Sequence, residues 1–208
     1  MSGIRVSYSG IISFAVGLSS IVTGLMISLI IIRTLDPLEY GMWGLINSLF
    51  VYSLIINSVV TLWSTREIAR GEKSGKTSIV FSEVLSIGGI LIYLIAAYFI
   101  SPEANVDQNI LFFAVLLIPL TFLHKTISSI SMGWKPEIYS YSSIIIEIIK
   151  IPLMLIFLIV FDLGVPGVII ALVISSTIGT LIQVIKSREQ LKEKINKIRI
   201  KKWLKISW

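Results

Sequence analysis

The sequence predicts an all-α integral membrane protein with six transmembrane helices and both termini in the cytoplasm. Three observations carry this reading. Six apolar stretches, residues 9–32, 42–64, 78–100, 110–132, 138–161 and 165–185, are each long enough to cross a hydrocarbon core of about 30 Å as a helix. The composition agrees, with 55% hydrophobic residues, 14% charged residues and a mean hydropathy of +0.90, whereas a soluble helix of this length keeps one polar face in water. The connections then alternate in charge. Arg5, the group Arg66, Arg70, Lys73 and Lys76, then Lys135, and the basic tail from 186 onward fall on one side. The other side holds Arg33 with Asp36, Glu39, Glu103, Asp107 and Asp162. The positive-inside rule places the basic side, and with it both termini, in the cytoplasm. The net charge of +6 is therefore a matter of topology, not of nucleic-acid binding.

The first span carries Gly10, Ser13, Gly17, Ser20, Gly24 and Ser28, mostly at steps of three or four. It is longer than the apolar core of a signal peptide and lacks a cleavage site, so it reads as a retained span. Its small-residue stripe predicts close approach of another helix backbone, and on that reading Gly17→Leu disrupts assembly. The second span places Ser53, Asn57, Thr61 and Ser64 on one face, a seam suited to hydrogen bonds between helices. Short connections at 33–41, 65–77, 101–109, 133–137 and 162–164 make successive helices antiparallel neighbours.

Ionisable residues inside spans are the functional signal. Glu83 in span three lies near the cytoplasmic boundary, and Lys125 in span four, about 10 Å from it, can partly snorkel. Lys150 stands near the middle of span five, where a lipid-facing lysine costs roughly 2.5–3.5 kcal/mol, so it is expected to face protein or a watered cavity. Ser140, Ser143, Glu147 and Lys150 share one face of span five, and Thr121, Lys125, Ser128 and Met132 share one face of span four. Together they predict one hydrated cavity, open to the cytoplasm, that attracts a phosphate or carboxylate through Lys125 and Lys150. The alternative is a packed pair in which Glu147 and Lys150 neutralise each other. Pro119 and Pro152 each remove a backbone hydrogen bond and are expected to kink spans four and five. His124 reads as a packing or hydrogen-bonding residue.

Several classes drop out. The chain has no cysteine, which excludes disulfides and a thiolate metal site. No HExxH, Gly-x-Ser-x-Gly or nucleotide-binding loop is present, so no enzyme activity, catalytic residue, metal or cofactor is expected. Gly71-Glu-Lys-Ser-Gly-Lys-Thr77 has one residue too few between its glycines for a phosphate loop and follows a membrane helix, not a strand. The tail, 186–208, carries Leu191, Ile195, Ile198, Trp203 and Leu204 at near-helical spacing among lysines and arginines. It reads as an interfacial helix on anionic lipid, the alternatives being a solvated helix or a disordered basic end.

One segment carries a family likeness. Ile30-Ile-Ile-Arg-Thr-Leu-Asp-Pro-Leu-Glu-Tyr-Gly-Met-Trp43 resembles the junction of helices one and two in polysaccharide biosynthesis proteins, the oligosaccharide flippases of the Wzx type. These belong to the multidrug/oligosaccharidyl-lipid/polysaccharide exporter superfamily. Arg66-Glu-Ile-Ala-Arg-Gly is similar to the family's basic turn before helix three, and Gly164 to Gly167 to the glycine-rich start of helix six. The resemblance implies one lobe, residues 1–185, of a two-lobe transporter, with 186–208 as the interlobe linker. It implies translocation of a polyprenyl-pyrophosphate-linked oligosaccharide across the cytoplasmic membrane by alternating access. Lys150, Lys125 and Glu147 would line the substrate cavity and Arg33 would stand at an outer gate, or else cap its loop with Asp36 or Glu39. The family has twelve or more spans, so a second six-helix lobe, in the same or another chain, is the expected partner besides the anionic lipid-linked sugar and membrane lipids. Two other functions compete: a cation-coupled small-molecule or drug exporter of the same superfamily, and a non-transporting scaffold for glycan synthesis.

Overall fold

The computed structural model describes residues 3–104 and 106–206, with side chains at 14–102, 106–201 and 203–205. Arg5, Gly10, Ser13 and Glu103 of the sequence reading lie outside the described side chains. Among the described residues 89% are helical and none is in a strand. In chain order the helices are α1 (Gly3–Thr34), α2 (Pro37–Leu54), α3 (Asn57–Ala69), α4 (Gly75–Ala104), α5 (Gln108–Phe113), α6 (Leu117–Trp134), α7 (Pro136–Leu155), α8 (Gly164–Lys186) and α9 (Lys197–Ile206). Five are long and apolar enough to cross a membrane, α5 and α6 counting as one, and the count reaches six if the bent pair of α2 and α3 is taken as one span.

That sixth span differs from the single helix expected over 42–64. The chain bends by 53° between Leu54 and Asn57. Asn57 explains the break. It is buried, its Nδ2 donates to the Phe122 carbonyl at 3.3 Å, and its Oδ1 accepts from Ser82 Oγ at 3.1 Å and Thr126 Oγ1 at 3.4 Å. In an apolar surround such a group must find every partner inside the protein. The bend swings Asn57 onto α4 and α6, while Ser58 Oγ donates to the Ile55 carbonyl at 2.7 Å at the break itself.

The prolines act less sharply than expected. Before Pro119 the helix tightens into a 3₁₀ turn, Ala114–Leu116, which joins α5 to α6. α7 runs through Pro152 and passes into a π-helical turn, Ile156–Val160, one turn later, a usual way for a helix to re-seat backbone groups freed by proline.

α6 is the hub, packing against α3, α4, α7 and α8. Apolar side chains such as Ile46, Tyr93, Phe122 and Ile169 fill the centre, but so do hydroxyls. On the α8 side His124 Nδ1 meets Thr180 Oγ1 at 3.0 Å, Ser128 Oγ donates to Gln183 Oε1 at 3.0 Å, and Ser131 Oγ meets Ser187 Oγ at 3.0 Å. On the α3 side Thr65 Oγ1 donates to the Ser129 carbonyl at 3.1 Å. Small residues admit the neighbours: a Cβ on Gly133 would fall 2.7 Å from the Thr65 carbonyl oxygen, and one on Gly179 would run into Ile146. Outside, Leu25, Ile87, Ile95 and Val160 are exposed. Apolar residues outward with hydrogen-bonded polar groups inward is the arrangement expected of helices in lipid, where backbone proximity and hydrogen bonds drive association.

The ends of the bundle are tied by their loops. Asp36 caps α2 by accepting from the Glu39 N–H at 2.7 Å. Gly164 holds φ +55° with the Glu39 carboxylate where a Cβ would stand, so two loops of one end meet at a residue that only glycine suits. At the opposite end the tail leaves α8 through a 3₁₀ turn, Arg188–Leu191, and α9 docks on α3 and the α3–α4 connection. Trp203 is fully buried beside Val60 and Phe81, and Arg199 reaches Glu67, Glu72 and Glu193. The tail is thus docked on the bundle through one face, while most of its other described residues, Ile198 and Leu204 among the lysines, are exposed. The loop that only superficially matched a phosphate loop belongs to this dock: the Thr77 N–H donates to Glu193 Oε1 at 3.3 Å, and Gly75 abuts the Gln190 carbonyl.

Candidate functional site

The site is built on α7, where one residue in three or four turns inward. Ser143, Glu147 and Lys150 line a cavity of about 760 Å³ closed by α1, α2, α6 and α8. Lys150 Nζ lies 2.9 Å from Glu147 Oε2, with side chains 18% and 12% exposed. Their spacing of three residues places both on one helix face, and the pair offsets the desolvation that either charge alone would suffer here.

Glu147 has further partners on α1. Thr23 Oγ1 donates to its Oε2 at 2.5 Å and Ser20 Oγ to its Oε1 at 3.5 Å. One carboxylate thus ties α1 to α7, the helix on which α1 chiefly packs. The rest of the lining is mixed: Trp43 and Asn47 from α2, Thr121 from α6, Tyr139 from α7 and Ser176 from α8. Aromatic faces, hydroxyls and an amide around one ion pair can bind a polar, ring-bearing ligand, and the volume falls in the roughly 300–1,000 Å³ range of small-ligand sites.

The two lysines expected to share one cavity line two adjoining spaces. Lys125 lines a second space of about 780 Å³ between α3 and α6, with Arg66, Thr61, Ser128 and Met132. His124 and Tyr139 line both spaces and stand where they adjoin. The two stripes divide accordingly. Thr121 belongs to the first cavity, Lys125, Ser128 and Met132 to the second, and Ser140 is buried in packing. Spacing fixes which residues share a face, but Lys125, a full turn beyond Thr121, reaches the space bordered by α3 and by Tyr139 of α7. The seam of span two divides too, with Ser53, Asn57 and Ser64 buried and Thr61 on the second space. Glu83 is half-buried in α4 and lines neither. Arg33 is exposed in the last turn of α1, a favourable place for a cation at a helix C-terminus, and it lines neither cavity.

The α1 stripe is corrected as well. A Cβ on Gly17 or on Gly24 would meet nothing within 4 Å, so these glycines admit no neighbouring backbone. Gly17 and Ser20 make room for the cavity instead. Gly17→Leu is therefore expected to leave insertion and folding intact while filling the cavity. Unchanged detergent-extracted yield and unfolding temperature, with the cavity closed to a small polar probe, are the outcomes to measure.

Ser20, Thr23, Trp43, Asn47 and Ser176 were not singled out as site residues by sequence. The available signal was weak: Ser20 and Thr23 lie three residues apart on the face that Gly17 opens. No family model, curated protein or solved structure matches the chain.

Proposed function

We propose that this chain forms one lobe of a translocator for polyprenyl-pyrophosphate-linked oligosaccharide in the cytoplasmic membrane, with both termini cytoplasmic and a second six-helix lobe closing the pathway. The observation that carries this reading is the half-open cavity in which Glu147 and Lys150 form a polar cluster, lined by five helices whose outer faces are apolar. Trp43 and Tyr139 offer ring faces to sugar C–H groups, while Asn47, Thr121, Ser143 and Ser176 offer hydrogen bonds to hydroxyls. Lys150, paired with Glu147 in this structure, would turn to the pyrophosphate on binding while Thr23 and Ser20 keep the carboxylate hydrogen-bonded. The resemblance of residues 30–43 to the flippases supports the same substrate class. Alternating access then needs two lobes to move against each other around a site near the membrane midplane.

A second reading rests on Glu147 alone. A carboxylate gripped by one ammonium and two hydroxyls within the membrane also suits a proton- or Na⁺-coupled exporter of small amphiphiles. Inverted vesicles from cells expressing the full-length protein separate the two. With a fluorescent polyprenyl-diphospho-oligosaccharide in the outer leaflet, the expected result is protein-dependent loss of label from that leaflet. Cation-driven movement of a soluble amphiphile with no movement of the lipid-linked sugar would overturn the flippase reading.

A further inference from the structure

We infer that the space between α3 and α6 is a seat for the phosphate of an anionic phospholipid, separate from the central cavity. Arg66 of α3 and Lys125 of α6 both line it, and no aspartate or glutamate does. Among the described residues neither cation has a carboxylate within ion-pair distance, unlike Lys150, which has Glu147, and Arg199, which has three acids. Of the lysines and arginines that line the two cavities, Lys150 is neutralised by Glu147, while Arg66 and Lys125 bring unpaired positive charge to the α3–α6 groove.

The geometry suits one phosphate held by two cations. The bond from Thr65 to the Ser129 carbonyl sets Thr65 level with Ser129, which places Lys125 about one helical turn deeper than Arg66. Side chains of this length are able to reach one anion across that separation, and an anion between them would relieve their mutual repulsion. Arg66 is steadied by Trp63, with its guanidinium carbon 5.7 Å from the ring centroid. Thr61 and Ser128 add hydroxyl groups to the lining.

The walls decide between a lipid and a soluble anion. Leu62 and Met132 line the same groove and are each 49% exposed, so the cationic pair opens onto apolar surface that meets the hydrocarbon. A ligand with a phosphate at one end and an acyl chain at the other satisfies both parts, and inorganic phosphate satisfies only one. The groove lies toward the end that carries α9 and the basic loops, where anionic headgroups are concentrated on the cytoplasmic reading of those loops.

Native mass spectrometry of the delipidated full-length protein tests this, with phosphatidylglycerol and phosphatidylcholine added in equal amounts. The expected result is retention of phosphatidylglycerol over phosphatidylcholine by roughly tenfold, lost in the Arg66→Gln/Lys125→Gln variant. Lys150→Gln should keep the preference, so this proposal and the translocator reading fail independently. Arg66→Lys/Lys125→Arg should keep it too, which separates loss of charge from loss of fold. An unchanged preference in the glutamine variant would assign the effect to the lysines of α9 and overturn the proposal. Displacement of phosphatidylglycerol by equimolar glycerol 3-phosphate would make the seat one for a soluble anion, and displacement by equimolar polyprenyl phosphate one for the carrier lipid; either result overturns it.

Discussion

On the proposed translocator reading, Lys150→Ala is expected to abolish translocation, and on any reading to destabilise the protein, by separable routes. The alanine removes the cation that faces the cavity and leaves Glu147 with only the hydroxyls of Thr23 and Ser20. Removing one partner of a buried ion pair costs about 3–5 kcal/mol, and because the cavity admits water to both groups the low end of that range applies. Glu147→Gln/Lys150→Met removes the charges together, which is often neutral for stability. The double variant should therefore regain the parental unfolding temperature in detergent while still failing to move the lipid-linked sugar. Lys150→Arg, which keeps the charge, should retain part of the activity. Parental translocation in the double variant would take the pair out of the transport cycle and leave it a packing element.

The same cycle of variants measures the tie between α1 and α7. Glu147→Gln keeps an oxygen for Thr23 but loses the ammonium, so the coupling energy between positions 147 and 150 isolates the ionic part from the hydroxyl part. A coupling near zero would mean that Thr23 and Ser20 hold the carboxylate without help from Lys150.

Hydropathy made the spans legible because the bilayer imposes both a minimum length and an apolar exterior, and α1, α4, α6, α7 and α8 fall where those demands place them. Span two hid its break. Ser53, Asn57, Thr61 and Ser64 keep helical spacing whether or not the helix bends, and the partners that bend it, Ser82 and Thr126, lie 25 and 69 residues away in sequence. The ion pair of Glu147 and Lys150 was legible from a spacing of three on one helix. The separation of Lys125 from Lys150 was not, since it depends on how α6 is rotated between α3 and α7. The ladder from His124, Ser128 and Ser131 to Thr180, Gln183 and Ser187 teaches the same lesson: of its members only His124 and Ser128 stood out in the sequence, and their partners on α8 did not. Small residues misled in the other direction. Gly17 and Gly24 look like a packing seam and face open space, whereas Gly133 and Gly179, which belong to no conspicuous stripe, mark the close approaches.

Trp203→Ala is expected to release α9 from the bundle while leaving the spans folded. A helix of ten residues has little stability of its own in water, so its order depends on what it docks against. Trp203 is the fully buried side chain of that dock: its ring lies 6.4 Å from that of Phe81, and its Nε1 donates to Glu67 Oε1 at 2.8 Å. Truncating a buried tryptophan costs about 3–5 kcal/mol. It also strands Glu67, a carboxylate that is only 6% exposed and whose other support is Arg199 Nε at 3.0 Å. A loss of about 3 kcal/mol raises the undocked fraction more than a hundredfold, and trypsin cleavage after Lys194, Lys197 or Lys201 should accelerate by a comparable factor while protection of the α4 and α6 cores is unchanged. Trp203→Phe keeps the ring against Phe81 and loses only the indole hydrogen bond, so it should fall between, at about 1–3 kcal/mol. Arg199→Ala should approach the tryptophan truncation in effect, because it removes the ion pairs to Glu67, Glu72 and Glu193 and the bond to the Lys73 carbonyl at 2.6 Å. Parental resistance of the tail to trypsin in both variants would mean that α9 is held by the lipid surface through Ile198, Leu204 and its lysines, and not by its dock on α3 and α4.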